Sequence, residues 1–487
     1  MSDNNPSPAS AGTAPDGCRP SADFFVSNAK NWNLEWDVVR EPLPPATVRE
    51  VPDAVVLPLR VRKDPTTSHH LFEGGLCEAD GTFVAGRRRS LKDDKANFSA
   101  LWSYPFDPAT LEVRDEEVVF AGVLFDHYGH LLTDSTSRLW YVFAHPEKTC
   151  KIVFVRSPRK ARWAPEDPMP LFEMAGIDPG RIEIVEKPTR FRNAIVPEEA
   201  VYSLDAFRPE WISFFDAVRA HVEPSPHRKV YFSRTHFKRN DVHNEDLFES
   251  YWRDLGFHVV HPEDFTLREE ISFAAGADEI VATIGTLSHQ FLFCKPGTRA
   301  TILLRTSNVV PLQLIVGAAR GLRSDYVEAF RNPLPTWHSD GVFYLAPVPR
   351  FRGYLERRGL PGFGRERLSD TYTEARVRPY VKKWLEVFGN RSAVLHRSGS
   401  AEIRAMGDVA DRAKALGGSE EGKKLYEELV ATVGAKLSAL QAAEGRSRPP
   451  ARRQSLPRRL FAAAAALPRF VLSRVLRRKR RESAREG

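Results

Sequence analysis

Apolar residues fall into short blocks separated by polar turns, and beyond residue 118 strand-like blocks alternate with segments of helical period. Val55-Val56-Leu57 and the stretch from Leu71 to Val84 read as short strands, with Glu78-Ala79-Asp80-Gly81 as a turn that calls for glycine at positive φ. Val118 to Phe125 is an uninterrupted apolar run suited to a strand buried on both faces. A helix is predicted over 130–144, with Leu131, Leu139, Trp140 and Phe143 as its core contacts. Lys151 to Val155 is the next strand, Met169 to Ala175 a helix and Ile182 to Val185 a strand. Strand, helix and strand in this rhythm predict a parallel α/β sheet.

The rhythm repeats after a helix at Pro209 to His221 and the break Glu223-Pro224-Ser225-Pro226. Strands are expected at Lys229 to Arg234, His258 to Val260, Glu279 to Thr283 and Ala300 to Leu304. Between them lie helices at Asn244 to Leu255, stopped by Gly256, and at Thr266 to Gly276, where Thr266 and Glu269 form a capping box. A short helix at Gln290 to Cys294 precedes the turn Lys295-Pro296-Gly297. Further helices are expected at Leu312 to Ala319 and Arg378 to Val387, in a segment 306–400 that returns to the first domain. The expected division is a disordered leader over 1–22, α/β domains over 23–208 and 209–345, a return segment with a helical extension over 346–445, and a basic tail over 446–487.

Composition changes this picture in one respect. The formal charge of +8 over 487 residues suggests a basic protein, but 446–487 alone holds 14 basic and 2 acidic side chains, which leaves −4 on everything before it. A broadly basic nucleic-acid-binding body is therefore not expected. Cys18, Cys77, Cys150 and Cys294 are far apart and match no metal-ligand spacing, so neither a metal site nor a disulfide framework is predicted, and a reducing cytoplasm fits best. The first 22 residues lack a basic and apolar signal pattern, and no run of about 18 apolar residues suggests a spanning helix.

The chemistry concentrates at Asp126-His127-Tyr128-Gly129-His130 and Asp134. His130 and Asp134 stand four apart, so on a helix the carboxylate can fix the imidazole tautomer while the other ring nitrogen serves a cleft. That is the composition of a general base, although His130 alone could equally be a core histidine bonded to its helix neighbour. A second cluster is the strand-to-helix loop Gly285-Thr286-Leu287-Ser288-His289, where a close backbone approach and a helix N-terminus suit phosphate. Arg234, Lys238 and Arg239 leave another strand at its carboxyl end and are expected to reach the same anion. Asn244 and Glu245 are expected to cap their helix and brace the arginine loop. Neither GxxxxGK[ST] nor GxGxxG occurs.

Residues from about 70 to 305 resemble glycosyltransferase family 61, the bacterial capsular polysaccharide type. The resemblance lies in Gly122 to Trp140, GVLFDHYGHLLTDSTSRLW, and in Tyr231 to Gly297, which includes Ser233-Arg234, Arg239, Asn244-Glu245, Gly256-Phe257, Pro262-Glu263 and Gly285. It implies an α/β, GT-B-like fold of two facing Rossmann-like domains and inverting, metal-independent transfer from a nucleotide-sugar, which is a substrate, with no cofactor. It also implies a glycan or lipid-linked acceptor. In that scheme His130 with Asp134 is the base, His127 and Asp126 line the acceptor side with Asp126 as an alternative base, and Arg234, Lys238, Arg239, Gly285, Thr286, Ser288 and His289 hold the donor. The chain departs from the family pattern at Ile284 and Arg305, where relatives often carry a histidine and an acid, which leaves the donor open. A catalytically inactive glycan-binding or scaffold protein of a polysaccharide assembly complex is the alternative.

The tail from 455 to 481 places Leu456, Leu460, Leu467, Val471 and Val475 at helical spacing among arginines. This suits attachment to an anionic membrane surface on the cytoplasmic side. Residues 402–443 read as an alanine-rich helical pair for packing or for a homodimer.

Overall fold

A computed structural model describes residues 22–25, 42–62, 71–158, 168–237, 241–307, 309, 311–336, 341–397 and 400–446. Residues 1–21 of the leader expected over 1–22, Lys238, Arg239 and the tail 455–481 lie outside the described residues, while Ala22 begins a strand. The chain divides into a unit reaching to Ser438 and a second from Ala439, of which residues 439–446 are described, all helical.

The first unit is mixed α/β. Its strands are β1 (Ala22–Phe25), β2 (Val48–Arg62), β3 (Leu71–Cys77), β4 (Phe83–Ala85), β5 (Glu112–Leu124), β6 (Lys151–Arg156), β7 (Ile182–Ile184), β8 (Thr189–Pro197), β9 (Val201–Tyr202), β10 (Ala206–Phe207), β11 (Lys229–Phe232), β12 (Val242–His243), β13 (His258–Val260), β14 (Glu279–Thr283), β15 (Arg299–Leu304), β16 (Arg323–Glu328) and β17 (Phe343–Tyr344). One sheet has the order β4-β3-β2-β8-β5-β6-β7, and another the order β1-β16-β15-β14-β11-β13.

The first sheet is not the all-parallel sheet that the strand-helix rhythm predicts. β5, β6, β7 and β8 run parallel, but β2 pairs antiparallel with both β3 and β8. The strand that joins the two halves, β8, was not anticipated, because charged residues interrupt its sequence Thr-Arg-Phe-Arg-Asn. Its Ala194, Ile195 and Val196 are nevertheless buried. The second sheet is parallel throughout. Such a sheet needs cover on both faces, and the burial of β14 and β15 reflects that.

Alternation sorts the side chains by face. In β5, Val118 and Phe120 join one apolar cluster and Val119 and Ala121 the other. The register against β6 slips between Phe120 and Gly122, and Gly122 takes φ +92°. This bulge turns the end of β5 just before the histidine segment. The largest core runs continuously from Ile152 and Phe154 through Trp211, Phe214 and Phe215 to Phe291, Phe293 and Ile302, so the two sheets share apolar packing. Phe215 and Phe293 meet edge to face at 5.4 Å across that junction.

The segment expected to return to the first domain packs instead on the second sheet. Helix Pro349–Arg357 buries Phe351, Tyr354 and Leu355 in the cluster holding Tyr231, Val281 and Leu303, and Tyr354 Oη lies 2.7 Å from Thr301 Oγ1. Helices Glu374–Gly389 and Ala401–Ala415 build a further apolar cluster around Trp384. No helix among the described residues is long and apolar enough to cross a membrane.

Candidate active site

β5 delivers the chain into the histidine segment, where the predicted helix begins as α-helix and widens in its middle. Tyr128–His130 forms one helical turn, Leu131–Ser135 is π-helical, and α-helix resumes at Trp140–Ala144. A π turn inside a helical segment is uncommon and recurs at functional sites. His130 Nδ1 and Asp134 Oδ2 meet at 2.8 Å. The Asp134 side chain is fully buried, while that of His130 is 23% exposed, so the carboxylate stands behind the imidazole.

An ionised carboxylate at such depth needs partners. Arg87 supplies a fork, Nε at 3.0 Å and Nη2 at 2.7 Å from Asp134 Oδ1. Ser203 Oγ donates to the same oxygen at 3.2 Å, Arg89 Nε lies 3.4 Å from it, and the Thr133 hydroxyl lies 2.9 Å from Oδ2. Arg87 also holds Glu199 at 2.9 Å. Burial pushes the Asp134 carboxyl up, but the charges of Arg87 and Arg89 and the bond to His130 outweigh it and hold the group well below the usual carboxylate range. With Nδ1 engaged by a carboxylate that stays ionised, the remaining nitrogen of a neutral His130 is the free acceptor. Phe98 and Phe125 flank the ring at centroid distances of 5.2 and 5.3 Å. Phe98 takes φ +68°, a strained conformation for an aromatic residue.

His130 lines a cleft of about 280 Å³ whose opposite wall is the loop after β14. His127, Gly129, His130 and Thr133 contribute from one side, and Gly285, Thr286, His289, Arg305, Gln313 and Phe343 from the other. The approach is close at Gly129, where a Cβ would stand 3.2 Å from both His289 Nδ1 and Thr286 Oγ1 and 3.3 Å from the His127 ring. Burial and the neighbouring His130 lower His127 to about 4, and burial with His130 and His127 lowers His289 to about 3, so both rings are neutral near pH 7. Each has a buried Nδ1 without a partner.

The other anticipated residues are placed as follows. Asp126 pairs with Arg156 at 3.0 Å, outside the cleft wall. Arg234 is not part of that wall; its guanidinium lies 4.6 Å from the Phe237 ring centroid and 3.9 Å from Asp241. Ser288 is fully buried, accepting from Gly285 N and lying 2.5 Å from Gln313 Oε1, so it shapes the loop from inside. Glu245 accepts from the Arg234 backbone N–H at 3.3 Å and from Tyr231 Oη at 3.2 Å, and it braces that loop. Asn244 does not cap its helix, because φ +67° turns its side chain away to donate to the carbonyls of Leu345 and Thr371.

Sequence reasoning missed Arg87 and Arg89, which precede Asp134 by more than 40 residues, and Glu199 and Ser203, which lie in the chain after β8. The run Arg87-Arg88-Arg89 reads as a solvated basic patch, and only tertiary contact reveals its depth. Arg305, one of the two departures from the family pattern, is part of the cleft wall. Among the described residues, one group outside the cleft wall could hold a metal ion: His236, His261 and Asp264, at the ends of β11 and β13, present ligand atoms within 4.8 Å of one another.

Fold and site together define an α/β protein with a histidine-carboxylate pair facing a glycine loop at the carboxyl ends of parallel strands, where open sheets bind ligands. The family described as Glycosyltransferase 61 matches residues 128–301, the stretch from the turn of His130 through the second sheet to β15. The match supports a glycosyltransferase, hence a transferase. No curated protein matches the chain.

Proposed function

We propose that the protein is an inverting, metal-independent glycosyltransferase that moves a sugar from a nucleotide-sugar to a cell-surface polysaccharide or glycolipid acceptor. The observation that carries this reading is the His130–Asp134 pair, backed by Arg87, facing the Gly285 loop across one cleft. In inverting transfer an acceptor hydroxyl attacks the anomeric carbon from the face opposite the leaving diphosphate, loses its proton to a base, and leaves a new glycosidic bond and a nucleoside diphosphate. His130 takes that proton at the nitrogen not bound to Asp134, and the imidazolium is stabilised by the buried carboxylate. The backbone at Gly285–Thr286 receives the charge developing on the diphosphate. His127 lines the acceptor side. The two sheets with a cleft between their loops accord with a GT-B-like arrangement, and the capsular polysaccharide setting follows from the same resemblance.

The tail 455–481 would hold the enzyme at the anionic inner face of the cell membrane, where lipid-linked acceptors are made. Deleting 446–487 should abolish binding to anionic liposomes and leave donor binding intact. The reading as a whole is tested by a panel of nucleotide-sugars, first by selective thermal stabilisation and then by release of nucleoside diphosphate with the wild type and His130→Ala. Turnover that His130→Ala abolishes supports it. No turnover with any donor favours the inactive glycan-binding or scaffold protein.

A further inference from the structure

The cleft has cations in its wall and no counter-charge. Among the described residues its lining contains Arg89, Arg305 and three histidines but no aspartate or glutamate. Arg89 is occupied: Nε donates to Ser203 Oγ at 3.0 Å, Nη1 to the Asn97 carbonyl at 2.9 Å, and Asp134 lies 3.4 Å away. Arg305 is not occupied. It is 9% exposed, its Nε is buried without a partner, and among the described residues its guanidinium makes no hydrogen bond and no ion pair.

What positions this side chain is packing. Its guanidinium carbon lies 4.4 Å from the centroid of the Phe343 ring, itself part of the cleft wall. On another side it presses on Gly285, where a Cβ would come within 2.8 Å of Nη2. Gly285 has φ +138° and caps the helix Thr286–Phe293, whose first N–H groups have no intrahelical acceptor. Asp241 and Glu245 attract the guanidinium from beyond ion-pair distance, while Arg234 repels it. Burying a cation without a partner is unfavourable, and a fold retains one where a ligand supplies the missing charge. A planar fork beside helix N–H groups matches two oxygens of a phosphate or carboxylate.

We infer that Arg305 and the backbone at Gly285–Thr286 form an oxyanion subsite of the cleft, which takes a phosphate or carboxylate group of the ligand through the guanidinium fork. Naming that ligand as the donor rests on the transferase reading. A nucleotide-sugar offers the group in two places, its diphosphate and, when the sugar is a uronic acid, the sugar carboxylate.

Isothermal calorimetry on the full chain separates the sources, with inorganic pyrophosphate, UDP-glucose and UDP-glucuronate as probes against wild type, Arg305→Met and Arg305→Lys. If the diphosphate is the partner, Arg305→Met weakens all three at least tenfold. If the carboxylate is the partner, only UDP-glucuronate weakens tenfold, and the wild type prefers it to UDP-glucose. Arg305→Lys keeps the charge without the fork and should fall between; its melting curve guards against a misfolded Met variant. The subsite is refuted if wild type binds none of the probes, or if both variants bind them as wild type does. Because transfer is not the readout, active transferase with Arg305-independent binding sinks this subsite alone, and Arg305-dependent binding without transfer from any donor sinks the transferase reading alone.

Discussion

The Arg87→Met substitution removes the cation that makes an ionised Asp134 tolerable in the interior. Met has a similar length and no charge, so the packing loss is small and the electrostatic loss is isolated. Two hydrogen bonds to Asp134, at 3.0 and 2.7 Å, and one to Glu199, at 2.9 Å, disappear from side chains that are at most 6% exposed. Breaking a buried ion pair by deleting one partner costs about 3–5 kcal/mol. Ser203, Thr133 and His130 remain on Asp134, and the Arg88 N–H remains on Glu199 at 2.9 Å, which places the expected loss toward the lower end of that range. The pH dependence identifies the cause. The folded-state pKa of Asp134 lies well below the ordinary aspartate value of about 3.8, so its contribution to stability is present above that value and lost as pH falls through the folded-state pKa. Arg87→Met raises the folded-state pKa, and the gap between variant and wild type should therefore be widest near neutral pH and narrow below about pH 4. Urea unfolding followed by tryptophan fluorescence measures both. A variant within about 1 kcal/mol of wild type at neutral pH, or a gap unchanged by acid, would refute the charge argument.

Three further outcomes are expected. His130→Ala should lower the turnover of whichever donor is found by about 10²–10⁴, with little change in melting temperature because the ring is partly exposed; an equal fall in both would make His130 a packing residue. Gly285→Ala should cost about 1–3 kcal/mol of stability and weaken pyrophosphate binding, since it strains a backbone at φ +138° and collides with Arg305; calorimetry showing unchanged binding would contradict the close approach. The low folded-state values of His127 and His289 mean that the unfolded chain binds their protons first, so each lowers stability by about 1.4 kcal/mol per pH unit as pH falls from 6.5 toward about 4 for His127 and about 3 for His289. His289→Gln should flatten the acid side of the melting-temperature profile, and a profile of unchanged slope would place that ring in contact with water.

Local pattern carried far in the second half of the chain. The capping box of Thr266 and Glu269 forms in both directions, Gly256 ends its helix at φ +80°, and the apolar runs at β11, β13, β14 and β15 become parallel strands because each is short, apolar and bounded by polar turns. The i, i+4 pairing of His130 with Asp134 was also written in the sequence, since one turn of helix brings the two together whatever surrounds them. The π turn was not, because widening a helix is decided by what packs against it.

Partners distant in the chain were beyond the reach of any local pattern. Arg87 and Asp134 are 47 residues apart, and nothing near either one shows that the first is buried and the second ionised; that depends on how β4 and the turn after β8 close over the π turn. The same holds for Arg305 and Arg234, two arginines that each follow an apolar strand. Packing turned the first onto Phe343 and into the cleft and the second toward Phe237 and Asp241. Sequence determines which side chains can carry charge or a proton, and strand order and bulges decide which of them lose their water, because desolvation is a property of everything that surrounds a group and not of the group's neighbours in the chain.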